Sequence, residues 1–470
     1  MIGRKEECEI LNACLNSSKA EFIAVFGRRR VGKTYLVKEF FNENFSFYAT
    51  GVQDVTTRQQ LRLFNESLVK YGDSTKSIPK DWFEAFSRLQ KLLQSDSVQK
   101  DYKTGKKVIF LDELPWMSTA KSNFKSALDY FWNSWASSQK DLLLIICGSA
   151  TSWIINNIIM GTGGFYNRIT RQIHLMPFDL NECEQLLSSN GMVMTKRQIV
   201  ETYMIFGGIP YYLNYLRPQY SLAQNIDMLF FSENAPLKYE FAQLFKSLFK
   251  NASNYINIIR ELSKRKSGFT RNELLKNSKL PEGKELTKCL SELEQCGFIR
   301  KYNDFSKKTN GGYFQLIDSL CLFHLTFLES KKIGSWLDFT GTPAYFAWAG
   351  LAFERVCFQH IKQIKSALGI SGVSSKETAW SSKNTTTGAQ IDLLIDRKDD
   401  VINVCEIKFS QDEFTIDSEY EKNLIHKIEI FRNETKTKKA LWLTMITFSG
   451  LKHNQYKNIV MSELTGEDLF

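Results

Sequence analysis

This sequence has few prolines and no closely paired cysteines, and these absences limit what kind of protein it can be. Eight prolines among 470 residues predict well-packed domains with short linkers. The nine cysteines include no Cys-X-X-Cys pair, and most stand beside Leu, Ile or Phe. They are therefore predicted to be small buried hydrophobes rather than a disulfide framework or a zinc site, and a reducing cytoplasm is the expected compartment.

Apolar runs long enough to cross a membrane are missing as well. The first ten residues, MIGRKEECEI, carry charges where a secretion signal needs an apolar stretch, and no run approaches the ~18 apolar residues that span a bilayer. We therefore expect a soluble protein with no membrane partner. The formal net charge of +10 fits either a solubilising surface or a polyanionic partner such as nucleic acid.

The first third of the chain alternates apolar runs with amphipathic stretches of helical period. The apolar runs at residues 21–26, 45–49, 108–111 and 142–147 are typical of buried strands in a mostly parallel sheet. This alternation predicts a doubly wound α/β domain over residues 1–177. Its ligand should then lie at the carboxyl ends of the strands.

The rest of the chain divides into three further regions. Helical segments predict a lid over residues 178–235. Helical stretches followed by two short apolar segments predict a winged helix over residues 236–335. A long helix over residues 343–368, followed by strands and another helix, predicts a compact α/β domain over residues 343–470.

One short segment carries the strongest chemical signal. The sequence GRRRVGKT fits the phosphate-loop pattern G-x-x-x-x-G-K-[ST] between a strand and a helix. Its glycines permit a turn that points backbone N–H groups at phosphate oxygens, and the helix N-terminus adds positive potential. Lys33 is expected to pair with the β- and γ-phosphates of ATP, and Thr34 to hold Mg²⁺. The predicted nucleotide-binding residues of the loop are Gly27, Arg28, Arg29, Arg30, Val31, Gly32, Lys33 and Thr34.

Two strand ends supply the other half of this site. The strand at residues 108–111 is followed by Asp112 and Glu113, and acids at the end of a buried strand suit a metal site. Asp112 is expected to hold Mg²⁺, and Glu113 to polarise the attacking water as the catalytic base. The strand at residues 142–147 leads to Ser149, which either lies near the γ-phosphate or caps the next helix.

Together these motifs resemble the archaeal-type ATPases of the AAA+/STAND lineage, over about residues 1–240. The resemblance implies a P-loop core with a helical lid, ATP hydrolysis and Arg4 beside the adenine. It also implies that Arg168 is an arginine finger, acting on a neighbouring subunit of a homo-oligomer; a surface ion pair is the alternative. The motifs are IGRKEE at 2–7, GRRRVGKT at 27–34, LDE at 111–113, CGS at 147–149, GGFYNR at 163–168 and GGIP at 207–210.

Charged residues also interrupt the apolar strands near the C-terminus. Asp392 follows Ile391, and Glu406 and Lys408 stand two apart in VCEIK, which puts them on one face of a strand. Because buried charges need partners, the cluster suits a divalent metal, and Glu354 adds a carboxylate from the preceding helix. An ion pair on an edge strand is the alternative.

This D…E-x-K arrangement with an upstream glutamate resembles the PD-(D/E)XK nuclease superfamily, which has a restriction-endonuclease-like fold. The resemblance implies that Asp392 and Glu406 bind Mg²⁺ or Mn²⁺ and that Glu354 assists the metal. Lys408 would orient water or stabilise charge at the phosphate under attack.

The expected winged helix is a weaker nucleic-acid signal. Lys307 and Lys308 could meet DNA phosphates, but the segment 284–295 expected to be its recognition helix carries three glutamates and two lysines, which favours a scaffold. We expect an ATP-driven switch or motor that governs a nuclease-like domain acting on DNA. The alternative is a regulatory or signalling ATPase whose C-terminal domain binds protein or nucleic acid without cleaving it. A transcription factor is a third reading, which the acidic helix disfavours.

Overall fold

The computed structural model describes residues 1–149, 151–160, 167–277, 283–303, 305, 312–330, 333–382 and 388–470. The chain forms two compact units, Met1–Pro177 and Phe178–Phe470. Most of the glycine-rich segment before Arg168 and both wing lysines, Lys307 and Lys308, lie outside the described residues. Within the described ranges, no helix is both long and apolar enough to cross a membrane.

The first unit is built on a five-stranded sheet in the order β2-β3-β4-β1-β5. Every neighbouring pair in it is parallel, so the expected α/β fold with a parallel sheet is confirmed. The strands are β1 (Glu21–Phe26), β2 (Phe47–Thr50), β3 (Lys107–Asp112), β4 (Leu142–Gly148) and β5 (Arg171–His174). The helices are α1 (Lys5–Leu15), α2 (Lys33–Phe40), α3 (Thr57–Lys70), α4 (Trp82–Gln94), α5 (Leu114–Met117), α6 (Phe124–Ser134) and α7 (Thr151–Ile154).

Burial explains which strands of this sheet can be predicted from the sequence. Every residue of β1 and β4 is buried, because helices cover both faces of a parallel sheet, and both strands therefore read as unbroken apolar runs. β5 was not expected. Only Ile173 of its four residues is buried, so this edge strand has no apolar signature.

The second unit contains a mixed five-stranded sheet in the order β13-β12-β11-β10-β9 and a three-stranded antiparallel sheet in the order β6-β8-β7. In the larger sheet, β10 runs antiparallel to β9 and β11, whereas β11, β12 and β13 are parallel. The strands are β6 (Phe269–Thr270), β7 (Ile299–Tyr302), β8 (Tyr313–Leu316), β9 (Ser375–Ser381), β10 (Gln390–Arg397), β11 (Val401–Lys408), β12 (Ala440–Thr447) and β13 (Ser462–Leu464).

Helices pack on both of these sheets. In the middle of the chain, α13 packs against β8 and α15 against β7; near the C-terminus, α18 packs against β11. The helices are α8 (Leu180–Ser189), α9 (Lys196–Phe206), α10 (Pro210–Leu213), α11 (Leu222–Ile226), α12 (Glu240–Leu248), α13 (Ala252–Ser263), α14 (Arg271–Asn277), α15 (Lys284–Gln295), α16 (Ser319–Phe323), α17 (Trp336–Phe339), α18 (Pro343–Gln359), α19 (Ile361–Ala367) and α20 (Ser418–Thr435).

The single helix expected over residues 343–368 is wrong, because the chain breaks at His360. The fully buried imidazole of His360 lies 2.7 Å from the Val356 carbonyl through Nδ1, and its Nε2 accepts a 3.0 Å hydrogen bond from the Leu180 N–H. Leu180 is the first residue of α8, and its N–H has no partner within that helix. The ring therefore satisfies a helix end 180 residues away, which no local pattern encodes.

Candidate functional site

The loop between β1 and α2 turns through backbone conformations that glycine favours. Gly27 has φ +146°, and a Cβ at this position would lie 2.3 Å from the Leu175 carbonyl oxygen, so no larger residue fits. Gly32, at φ +93°, ends the loop before α2 begins. The buried ammonium of Lys33 donates to the carbonyl oxygens of Gly27 (2.9 Å) and Arg28 (2.8 Å). Lys33 therefore folds back over the loop that it follows.

The two residues predicted to hold Mg²⁺ lie in contact. The hydroxyl of Thr34 lies 2.9 and 3.2 Å from the two carboxylate oxygens of Asp112. Asp112 is only 3% exposed, and burial, followed by the nearby Glu113 carboxylate, raises its pKa against the hydrogen bond from Thr34. Two oxygen ligands of the kind that Mg²⁺ prefers therefore lie together at the carboxyl ends of the strands.

Ser149 contacts the predicted catalytic base. Its hydroxyl donates to Oε2 of Glu113 at 2.9 Å, and its backbone N–H lies 3.2 Å from the same oxygen. β4 lies between β1 and β3 in the sheet, so residues that follow β4 reach Glu113 at the end of β3. A Cβ on Gly148 would lie 2.5 Å from Cδ of Pro115, so only glycine permits this close approach.

The arginines predicted to surround the nucleotide differ in setting. Arg4 is buried and donates to the carbonyl oxygens of Val31 (3.0 Å) and Met176 (2.7 Å), which ties the N-terminal segment to the loop. Among the loop arginines, Arg28 is buried, and Arg29 and Arg30 are partly buried. Arg168 is exposed, in a turn.

In the second unit, the carboxylates of Glu354 and Asp392 share one lysine that was not among the predicted site residues. The Lys266 ammonium donates to Oδ1 of Asp392 at 2.9 Å and also contacts Oε2 of Glu354. Burial, and then the Asp392 carboxylate, raises the pKa of Glu354 to about 7, although Lys266 opposes the shift. Burial lowers the pKa of Lys266, but the two carboxylates outweigh it and the net shift is upward.

Glu406 has a separate set of partners. Leu393 pairs with Cys405 in the antiparallel β10–β11 ladder, so Asp392, the residue before Leu393, and Glu406, the residue after Cys405, lie next to that pair on neighbouring strands. The Glu406 carboxylate binds Lys408 at 3.0 Å, Lys427 at 3.0 Å and the Tyr420 hydroxyl at 2.8 Å. Burial opposes its ionisation, but the lysines outweigh burial and its pKa lies below the usual range. Glu406 is therefore a carboxylate neutralised by two ammonium groups.

As they stand, these residues do not form a ligand set for a divalent ion. Among the described residues, no group of three His, Cys, Asp or Glu side chains is arranged to hold a metal. Each carboxylate near Asp392 is instead paired with a lysine. The cluster is nevertheless reachable, because a cavity of about 310 Å³ is lined by Glu354 and Lys408, and another of about 170 Å³ by Lys266 and Asp392.

Three partners in this cluster were missed from the sequence. Tyr420 and Lys427 lie seven residues apart on α20, a spacing that puts them on one helix face, and this was a usable signal. Lys266 gave no such signal, because it lies in a turn 126 residues before Asp392.

Comparison with known proteins bears on the first of these two sites. Residues 1–216 match the family described as an ATPase domain predominantly from Archaea. Over this range the chain is similar to an archaeal-type ATPase domain. The matched range contains the phosphate loop, the Thr34–Asp112 pair and the Glu113–Ser149 pair.

Both relatives found among curated proteins come from Methanocaldococcus jannaschii. An uncharacterised protein is 24% identical over 372 residues, which is 77% of this chain and 77% of that protein. An uncharacterised ATP-binding protein is 54% identical over 39 residues, which is 8% of this chain and 66% of that protein. Among solved structures, a Walker-type ATPase of Pyrococcus abyssi aligns at 16% identity with a TM-score of 0.47, covering 70% of this chain and 96% of that one.

Proposed function

We propose that the ATPase domain binds ATP with Mg²⁺ and hydrolyses it at the ends of β1, β3 and β4. The observation that carries this is the pair of contacts Thr34–Asp112 and Ser149–Glu113 at one edge of the sheet. Backbone N–H groups of the loop and Lys33 would bind the phosphates. Thr34 and Asp112 would hold Mg²⁺, which neutralises charge on the phosphate oxygens when bound.

Glu113 is the proposed base that orients the attacking water, and Ser149 the residue that fixes its carboxylate. Arg4 would lie beside the adenine, and its bond to Val31 supports a position against the loop. Arg168, which is exposed, remains the proposed arginine finger and would act on the nucleotide of a second copy in a homo-oligomer.

Phosphate release tests this proposal directly. Lys33→Ala is expected to lower ATP turnover by at least a hundredfold, because the variant loses a cation at the β- and γ-phosphates. Lys38→Ala, on the same helix, is the matched control, since the Lys38 ammonium pairs with Glu43 (3.9 Å) and lies over the Tyr48 ring. Equal rates for wild type and Lys33→Ala would contradict the proposal.

We further propose that residues 343–470 form a nuclease-like domain that acts on DNA and that ATP turnover governs it. What supports this is the placement of Asp392 and Glu406 on neighbouring antiparallel strands, with Glu354 on the helix packed against β11. Residues 236–335 would be the winged helix between the two, given the three-stranded sheet with α13, α14 and α15. Incubation of plasmid and linear DNA with Mg²⁺ or Mn²⁺, with and without ATP, is the test. Cleavage that disappears in Asp392→Ala supports the domain's role.

A second function is favoured by one specific observation, the lysine pairing of all three carboxylates. On this reading the protein is a regulatory or signalling ATPase whose C-terminal domain binds a protein or nucleic acid without cleaving it. The same incubation separates the two functions. Absence of cleavage with either metal, whether or not ATP is present, favours the regulatory protein.

A further inference from the structure

The lysine at the Glu354–Asp392 pair comes from a different part of the chain than the carboxylates do. Lys266 lies in the turn between α13 and β6, within the region proposed as the winged helix. Its ammonium is 2.9 Å from Oδ1 of Asp392 and also contacts Oε2 of Glu354. A single positive charge therefore bridges two carboxylates that would otherwise repel each other.

The turn that carries Lys266 is held by the three-stranded sheet. The Gln315 side chain donates to the Lys266 carbonyl at 2.6 Å, and the Tyr302 hydroxyl donates to the Ser267 carbonyl at 2.5 Å. Gly268 has φ +72°, and a Cβ there would lie 2.1 Å from the Phe314 carbonyl oxygen. Side chains of β7 and β8, together with the close backbone approach at Phe314, therefore fix where the Lys266 side chain starts.

The ammonium competes with any divalent ion for the same carboxylate oxygens. At 2.9 Å from Oδ1 of Asp392, the ammonium occupies one of the acceptor positions that this oxygen would otherwise offer to a metal. A divalent ion beside the remaining positive charge would also be repelled. Glu406 differs, because its lysines belong to the same sheet and its neighbouring helix, β11 and α20.

We propose that Lys266 is an internal counter-cation that keeps divalent metal out of the Glu354–Asp392 pair for as long as the turn after α13 holds the ammonium there. This rests on the proposed nuclease-like role of residues 343–470, whose regulation it describes. Because the three-stranded sheet holds this turn, its position relative to β10 would then decide whether the carboxylates of Glu354 and Asp392 bind the Lys266 ammonium or a metal ion.

Metal binding by the full chain tests this inference without an activity assay. Mn²⁺ is titrated without nucleotide into wild type, Lys266→Gln and Lys266→Arg, and free Mn²⁺ is read by electron paramagnetic resonance. We expect Lys266→Gln to bind Mn²⁺ at least tenfold more tightly than wild type, and Lys266→Arg to resemble wild type because it keeps the charge. The gain should vanish in the double variant Lys266→Gln, Asp392→Asn.

Lys264→Gln is the matched control, since Lys264 is exposed and pairs with Glu261 at 2.7 Å. Gln315→Ala, which loosens the turn while keeping the lysine, should also tighten Mn²⁺ binding and covers the case in which Lys266→Gln fails to fold. Thermal unfolding gives a second measurement, because Mn²⁺ should raise the Tm of Lys266→Gln more than that of wild type.

Unchanged or weaker Mn²⁺ binding in both Lys266→Gln and Gln315→Ala would overturn the inference. Failure of the nuclease proposal would look different. If Lys266→Gln gains Mn²⁺ affinity and still cuts no DNA, the counter-cation role of Lys266 is supported and the proposed nuclease activity is contradicted. If wild type cuts DNA and neither variant changes Mn²⁺ affinity, the proposed nuclease activity is supported and the counter-cation role of Lys266 is contradicted.

Discussion

The carboxylate of Glu113 accepts two hydrogen bonds from Ser149, one from its hydroxyl at 2.9 Å and one from its backbone N–H at 3.2 Å. The Glu113 backbone is in the left-handed region at φ 46°, which is uncommon for a residue other than glycine. Strain at one residue and a hydrogen-bonding partner from the neighbouring strand thus act on the same side chain. This arrangement gives Ser149 a positioning role for the proposed base.

Replacing Ser149 by alanine should slow ATP hydrolysis while sparing nucleotide binding. The variant keeps the backbone N–H but loses the hydroxyl, so Glu113 is held by one hydrogen bond instead of two. We expect kcat to fall by roughly tenfold to a hundredfold, less than the ~10²–10⁴ that a general base contributes. Steady-state phosphate release gives kcat, and a fluorescent ATP analogue gives Kd.

Two comparison variants make that result interpretable. Glu113→Gln should lose more activity than Ser149→Ala, and Ser149→Thr should recover most of the loss because it restores a hydroxyl. If Ser149→Ala raised Kd for ATP with kcat unchanged, Ser149 would be a nucleotide contact rather than a positioning residue.

Gly208→Ala should strongly destabilise the second unit. A Cβ at Gly208 would lie 1.8 Å from the carbonyl oxygen of Phe178, and the Phe178 N–H donates to the Gly208 carbonyl, so the two backbones cannot separate cheaply. We expect a loss of about 3 kcal/mol in the free energy of unfolding. Gly350→Ala is the control: Gly350 lies within α18 with nothing within 4 Å of an added Cβ, and should gain about 0.5–1 kcal/mol. Urea denaturation measures both, and equal effects would contradict the steric argument.

His324 should make the second unit sensitive to mild acid. Its ring stacks on Phe241 at 4.5 Å, and burial lowers its pKa to about 4. Between pH ~6.5 and 4 the unfolded chain binds a proton at this residue and the folded chain does not, so stability falls as pH falls through that window. The loss should be on the order of 1–3 kcal/mol.

His324→Phe keeps an aromatic ring against Phe241 and removes the titrating group. The difference in unfolding free energy between this variant and wild type should therefore widen as the pH is lowered from 7 to 4. Parallel pH profiles for the two proteins would show that His324 does not titrate in that range.

Arg88 is predicted to be a major stabilising residue of the first unit. Its buried guanidinium donates to Asp73 (2.6 Å), Asn65 (2.7 Å) and the Ser77 carbonyl (2.7 Å). Arg88→Met removes the donor that these three acceptors share and should cost about 3–5 kcal/mol. Arg62→Met removes an exposed i,i+4 pair with Glu66 (3.7 Å) and should cost less than ~0.5 kcal/mol. Similar Tm losses for the two variants would refute the burial argument.

Local patterns in the sequence were sufficient for the features that consecutive residues define. The GRRRVGKT loop, the strand ahead of Asp112 and the helix α15 all follow from residue types at fixed spacing. The edge strands β5 and β9 could not be predicted in this way, because each has only one buried residue and an edge strand with so little burial has no need of apolar residues. The helix break at His360 could not be predicted for another reason, because the His360 ring makes a hydrogen bond to Leu180, which is far away in the sequence.

The sequence by itself determined that this chain carries a phosphate loop, a parallel α/β core and a set of acids and lysines near its C-terminus. Tertiary structure decided which of those charges meet. Ser149 reaches Glu113 because β4 lies next to β3. Lys266 reaches Asp392, 126 residues away, because the turn between α13 and β6 lies against β10. Hydrogen bonds and ion pairs act over about 3 Å in space regardless of separation along the chain, so only the folded structure shows them.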